Sequence, residues 1–249
     1  MAMPNDLKFC SWNMRGHRND RLLYLREIMS QCDILLVQEH WCLDSNIHLL
    51  ASFVDDVHVI GVSSMDDSRL LGGRPYGGCA IMYKKSLDCN ISLIPTHSKR
   101  LLAASFSLPS SSFNALLLNA YMPCDTRSDD QLSEFTTVLC EIDGLMSMHN
   151  CPEYVILGGD LNSDVSRAYS QHTSSLTDFC AASDLMFCNS SSLSSVVSTY
   201  ENDSSGTRSL IDHFVVSENL FDGITKYSIL DHGHNPSDHY PLLLELSVP

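Results

Sequence analysis

The chain has 249 residues, 44% hydrophobic and 18% charged. That balance excludes disordered and fibrous classes and is long enough to bury a core. Its 15 Lys and Arg against 30 Asp and Glu leave a net charge of −15, which argues against a sequence-independent nucleic-acid binder. No apolar run approaches the roughly 18 residues that span a bilayer.

In chain order, LKFCSWNM (7–14) is the first strand signal. DRLLYLREIMSQ (20–31) places Leu22, Leu25, Ile28 and Met29 at helical spacing, with Asn19 or Asp20 as N-cap. DILLVQE (33–39) reads as a short buried strand. The polar, Gly-rich run at 63–78 predicts a loop. GGCAIMYK (77–84), RLLAASFSL (100–108) and FNALLLNAYM (113–122) read as successive strands. The longest helical pattern is 128–148, capped by Ser128, with acids in its first turn. EYVILGGD (153–160) is a strand entering a Gly turn, and 175–185 is a short helix. The Ser-rich run 188–198 predicts a turn between strands. SVVSTY (195–200), RSLIDHFVVS (208–217), TKYSILDHG (225–233) and HYPLLLEL (239–246) close the chain as strands. Hairpins mix with strand–helix–strand units, so we expect an α/β protein with two sheets, as one domain over 1–249.

Ten cysteines, Cys151 among them, form no C-x-x-C pair, so they read as reduced thiols in the core. The N-terminus lacks a signal-peptide pattern, which predicts a cytosolic or nuclear protein with no membrane partner. Residues 1–100 hold 11 basic and 11 acidic side chains; residues 101–249 hold 4 and 19. A polyanionic partner should therefore approach a basic face supplied by the first 100 residues.

Polar residues recur at the ends of apolar strands, where they are costly unless solvated, paired or used. They are Asn13, Glu39, Tyr121, Asp160 with Asn162, Asp212, and Asp238 with His239. Clustered, they would make a hard-oxygen site suited to Mg2+ or Mn2+, with a His able to act as acid or base. Such a set suits attack of water on a phosphodiester. Each alone has an ordinary reading: Asn13 as a turn cap, Glu39 as a surface carboxylate, Tyr121 as a core aromatic. Asp212, inside an apolar strand, is the hardest to dismiss.

Six motifs stand in order: W-N-M-R-G (12–16), Q-E (38–39), N-A-Y (119–121), G-G-D-L-N (158–162), S-L-I-D-H (209–213) and S-D-H (237–239). In order and spacing the chain resembles the endonuclease/exonuclease/phosphatase superfamily over 7–246. The resemblance implies a four-layer α/β sandwich, two packed mixed sheets flanked by helices, with the site at one edge. It implies Glu39 as main metal ligand, helped by Asn13 and Asp238, with Mg2+ (or Mn2+) as cofactor. Tyr121 and Asn162 become donors to the scissile phosphate. Asp160 aligns or deprotonates the attacking water. His239, oriented by Asp212, contacts the phosphate and manages the proton. Which of His239 and Asp160 is the base stays open.

N-A-Y at 119–121 favours the apurinic/apyrimidinic-endonuclease branch. Together with Q-E-H-W (38–41) and I-D-H-F-V-V (211–216), the chain looks most like the endonuclease domain of LINE-type (non-LTR) retrotransposons. That implies a double-stranded DNA substrate, nicked to leave a 3′-hydroxyl primer. It also implies a reverse transcriptase in the same polyprotein, synthesis in the cytoplasm and action in the nucleus. The alternative is a phosphoesterase acting on a small molecule, lipid headgroup or RNA. In the family a hairpin at 200–209 reaches into DNA, with Thr199 and Ser209 flanking it and Arg208 beside the acids Glu201 and Asp203. Arg15, Arg18 and Arg74 are further candidate backbone contacts.

Overall fold

The computed structural model describes residues 6–66, 68, 73–148, 152–167, 170–202, 204–231 and 234–248; Cys151 and Asp203 lie outside them. In chain order the strands and helices are β1 (Asp6–Asn13), α1 (Asn19–Gln31), β2 (Ile34–Gln38), β3 (Val57–Val62), β4 (Cys79–Lys84), β5 (Asn90–Ile94), β6 (Leu101–Ser107) and β7 (Asn114–Tyr121). There follow α2 (Asp129–Met146), β8 (Tyr154–Asp160), α3 (Gln171–Ala182), β9 (Leu185–Phe187), β10 (Tyr200–Glu201), β11 (Arg208–Ser209), β12 (Asp212–Ser217), α4 (Glu218–Phe221), β13 (Ile224–Ile229) and β14 (Leu242–Ser247). Short 3-10 turns occupy Asp44–Ala51 and Cys188–Ser190.

Two six-stranded sheets face each other, ordered β13-β14-β1-β2-β4-β3 and β5-β6-β7-β8-β12-β9. The two sheets share a plan. In each, one parallel pair lies at the centre, β1 with β2 across α1 and β7 with β8 across α2, and antiparallel strands flank it. The expected sandwich of mixed sheets and outer helices is the observed one.

Period-two alternation sorts every central strand between two cores. Phe9, Ile34, Leu36, Leu117, Ile156, Phe214 and Leu244 fill the space between the sheets. Cys10, Trp12, Leu35 and Val37 face the other way, onto Leu22, Leu25 and Ile28 of α1. Leu116, Leu118, Leu157 and Val215 face Phe135, Val138 and Ile142 of α2 and Leu176 of α3. Burying each such side chain stabilises the fold by roughly 1.5–3 kcal/mol.

The departures from expectation have local causes. β3 and β5 were not legible because they are edge strands with mostly part-exposed side chains, so alternation is weak. Helix α1 starts at Asn19, which puts Arg18 at the cap without a side-chain bond; neither Asn19 nor Asp20 caps it. Ser128 caps α2 as expected, accepting from Gln131 N at 3.2 Å. Helix α3 begins at Gln171, not 175, because Ser170 supplies the cap and buried His172 stacks on Phe135. Of 195–200 only Tyr200 pairs as strand, with Ser209 across the β10–β11 hairpin. Among the described residues no helix is long and apolar enough to cross a membrane.

Candidate active site

The alternation that points Phe9, Leu117, Ile156 and Phe214 between the sheets also directs Asn13, Tyr121, Asp160 and Asp212 inward, at one edge of the sandwich. Register aligns them: Asp160 stands beside Tyr121 on one side and Asp212 on the other. Gly159 allows this approach. Its φ is +143°, and a Cβ there would lie 1.9 Å from the Ala120 carbonyl oxygen.

An amide layer closes the core beneath the site. Gln38 Nε2 donates to Asn119 Oδ1 at 2.7 Å and lies 3.1 Å from Ser11 Oγ. Asn119 Nδ2 donates to the carbonyls of Val37 and Ala80, at 2.9 and 2.8 Å. All three side chains are fully buried, so these bonds join the two sheets where unpaired groups would be expensive.

Asn13 is the hub above that layer. Its Nδ2 donates to Glu39 Oε1 at 3.0 Å and to Asp160 Oδ2 at 2.9 Å. Its Oδ1 accepts from Arg15 N at 3.1 Å. Trp41 Nε1 holds the other oxygen of Glu39 at 3.0 Å, and the Arg74 guanidinium lies over the Trp41 ring, 4.7 Å from its centroid. Arg15, Glu39, Trp41 and Asn162 are four of seven described non-glycine residues with positive φ. Such backbone is costly and collects where side chains must be aimed.

His239 enters from the segment before β14. Its Nδ1 faces Asp212 Oδ2 at 2.9 Å and Oδ1 at 3.1 Å. A carboxylate only accepts, so Nδ1 carries the proton and Nε2 looks into the site, 3.9 Å from Asp160 and 4.0 Å from Asp238. Trp12 Nε1 holds the His239 carbonyl at 3.1 Å, and Tyr200 lies against the imidazole with ring centroids 4.9 Å apart. Burial alone would lower the His239 pKa, but Asp212 and Asp160 raise it to about 9. Burial, then the charge of Asp212, raises Asp160 to about 7. Burial, then Glu39 and Asp160, pushes the Tyr121 phenol far upward, so it stays a donor.

Asn162 lies beside Asp160, whose Oδ1 accepts its backbone N–H at 3.1 Å. Its Nδ2 donates to Met122 O at 2.8 Å, leaving a second N–H for another acceptor. Asp238 reaches the same edge and is paired through Oδ2 with Arg15. Thus the structure brings together Asn13, Glu39, Tyr121, Asp160, Asn162, Asp212, Asp238 and His239. The proposed DNA contacts divide. Arg15 and Arg74 stand at the site, whereas Arg18 is paired with Asp20 at 2.7 Å and Arg208 with Glu201 at 3.0 Å. Thr199 is fully buried: its hydroxyl accepts from the N–H groups of Ile211 and Asp212, so it anchors β12 and presents no surface. Ser209 is half-buried on β11.

Sequence reasoning missed Trp41, Gln38, Asn119 and Ser237, which orient the others. Ser237 Oγ donates to Asn13 O and accepts from His239 N, joining two motifs. Each sits inside or beside a quoted motif, but nothing local distinguishes a positioning residue from a packed one.

The donor set fits a divalent cation. Ligand atoms of Asp160, Asp212 and His239 lie within 4.8 Å of one another. Asp238 Oδ1 is buried without a hydrogen-bond partner among the described residues. Glu39 and Asn13 add hard oxygens, the kind Mg2+ and Mn2+ prefer.

The fold has close counterparts. An AP endonuclease from Leishmania major superposes with a TM-score of 0.75 at 19% identity, covering 98% of this chain and 88% of that one. The endonuclease domain of TRAS1, a telomere-specific non-LTR retrotransposon, does so with 0.71 at 14%, covering 97% and 98%. The 3′ phosphatase NExo from Neisseria, bound to a product DNA hairpin, gives 0.69 at 17%, covering 96% and 99%. No curated protein is similar enough in sequence to count as a match. Residues 10–239 match the Endonuclease/Exonuclease/phosphatase family, a span that runs from β1 to His239 and takes in every residue of the cluster, and the chain belongs to that family.

Proposed function

We propose that the chain is a Mg2+-dependent endonuclease that nicks double-stranded DNA and leaves a 3′-hydroxyl primer for reverse transcription. On this reading it is the N-terminal part of a longer polyprotein with a reverse transcriptase, and it acts in the nucleus. One observation carries the chemistry: a single Asn13 amide holds Glu39 and Asp160 while Asp212 holds His239. The likeness to the TRAS1 endonuclease domain supports the retrotransposon branch.

Glu39, Asn13 and Asp238 would hold the metal. The Asp160–Asp212–His239 triangle is a second grouping of ligand atoms, but Asp212 and His239 are engaged with each other there, whereas Asp238 Oδ1 is buried and unpartnered among the described residues, so we place the ion on the Glu39–Asp238 side. When bound, the ion offsets negative charge growing on the phosphoryl oxygens. Asp160, held by the Asn13 amide beside Asp212, takes the proton of the attacking water. The imidazolium of His239 donates through Nε2 to the phosphoryl group, and Asp212, on Nδ1, orients the ring and stabilises its charge. Tyr121 and the free N–H of Asn162 donate to the same oxygens. The P–O3′ bond breaks, and the 3′ oxygen leaves as the alcohol with a proton from solvent.

The test is supercoiled plasmid incubated with Mg2+. Wild type converts it to nicked circles that a polymerase extends from the nick. His239→Ala and excess EDTA abolish conversion. Equal nicking by wild type and His239→Ala would defeat the catalytic assignment. Turnover of a lipid, inositol or RNA phosphoester with no DNA nicking would select the phosphoesterase reading instead.

A further inference from the structure

The chain has two tryptophans, and both donate their single N–H at the catalytic edge, Trp12 to the His239 carbonyl and Trp41 to Glu39. Trp12 is fully buried in the core behind α1. Trp41 is half-buried and belongs to none of the apolar clusters among the described residues, so packing does not explain an indole there. The backbone is bent to place it. Glu39 and Trp41 both have positive φ, +52° and +56°, so the chain turns back and the ring edge reaches the carboxylate two residues earlier. One face of the ring lies on Gly16, where a Cβ would run into it, and the Arg74 guanidinium covers the other. Trp41 N donates to Gly77 O at 3.0 Å and Gly16 N to Glu39 O at 2.7 Å, which ties this turn to its neighbours. The result is a carboxylate fixed at both ends, Oε1 by Asn13 and Oε2 by Trp41, each at 3.0 Å.

We infer that Trp41 selects the ion: its N–H restricts Glu39 to one oxygen per metal and so favours Mg2+ or Mn2+ over Ca2+. Mg2+ binds single carboxylate oxygens at about 2.1 Å and keeps several waters. Ca2+ takes about six to eight oxygens at about 2.3–2.6 Å, commonly both from one Glu. With an N–H on each oxygen, Glu39 cannot turn to give both oxygens to one large ion. Asn13 alone, on Oε1, would leave the carboxylate free to pivot. Trp41 is thus a positioning residue that touches neither ion nor substrate. Removing an orienting partner of this kind changes metal affinity by about 10–100-fold. This selection rests on the metal assignment proposed for Glu39, and it adds which ion that carboxylate accepts.

The experiment needs no DNA and no turnover. Mn2+ binding is followed by the electron paramagnetic resonance of the free ion, with Mg2+ or Ca2+ added as competitor. Wild type should prefer Mg2+ to Ca2+. Trp41→Phe keeps a ring and deletes the N–H. It should weaken Mg2+ binding about tenfold and leave Ca2+ binding within about twofold, narrowing the preference by about fivefold or more. Arg74→Ala keeps the N–H and should leave the preference unchanged. A wild type without the preference, or Trp41→Phe with the wild-type preference, overturns the role of Trp41 and leaves the nuclease reading intact. So does an equal narrowing by Arg74→Ala, which would place the effect in local charge. A wild type that binds no Mn2+ overturns the metal assignment as well. Circular dichroism checks the fold of each variant. If Trp41→Phe misfolds, wild-type fluorescence decides, with buried Trp12 as a constant background. Saturating Mg2+ should change Trp41 emission more than Ca2+ does, and equal responses overturn the role of Trp41.

Discussion

Asp212 and His239 stand 27 positions apart in the chain and meet at 2.9 Å, carboxylate Oδ2 to imidazole Nδ1, both fully out of solvent contact or nearly so. The carboxylate fixes the tautomer and holds positive charge on the ring. Asp212→Asn removes that charge and keeps the shape. We expect the fold to persist, kcat to fall about 10²–10⁴-fold, and KM to change little. Steady-state kinetics on a defined nicking substrate checks this; a loss confined to KM contradicts it.

Glu39 is half-buried and held by Asn13 and Trp41. Glu39→Ala should raise the Mg2+ concentration needed for half-maximal activity by at least about tenfold. In EDTA its thermal midpoint should shift by less than about 4 °C, because little apolar packing is lost. A larger shift without metal would mark Glu39 as a structural residue.

In the metal-free protein both His239, raised from 6.5 to about 9, and Asp160, raised from 3.8 to about 7, bind protons more tightly folded than unfolded. The stability from His239 is complete below 6.5 and is lost as pH rises through about 9. The contribution of Asp160 is complete below 3.8 and gone above about 7. Urea unfolding in EDTA should therefore show stability falling steadily across the neutral and mildly alkaline range. His239→Gln should flatten the alkaline part. A profile that rises toward pH 9 refutes the assignment.

Asn119→Ala would leave Gln38 Nε2 and the carbonyls of Val37 and Ala80 without their buried partner. We expect a loss of about 2–4 kcal/mol in chemical denaturation, since several polar groups lose bonds at once. A cost below about 1 kcal/mol would mean that water enters and replaces the amide.

The sequence alone was enough for the central strands, the two long helices and the polar residues that gather at one edge of the sandwich. β1, β2, β7, β8 and β12 carry near-continuous apolar runs because both faces of these strands are buried, and a carboxylate within such a run, as at Asp212, stands out against it. Edge strands β3 and β5 escaped because their part-exposed side chains mask the period. Tertiary structure alone decided which polar residues share contacts. Asn13 bridges Glu39 and Asp160 over separations of 26 and 147 residues, Thr199 turns inward to anchor β12, and Arg74 rests on Trp41. Local spacing sets which face of its own strand a side chain occupies; only the stacking of two sheets sets which distant side chain it then meets.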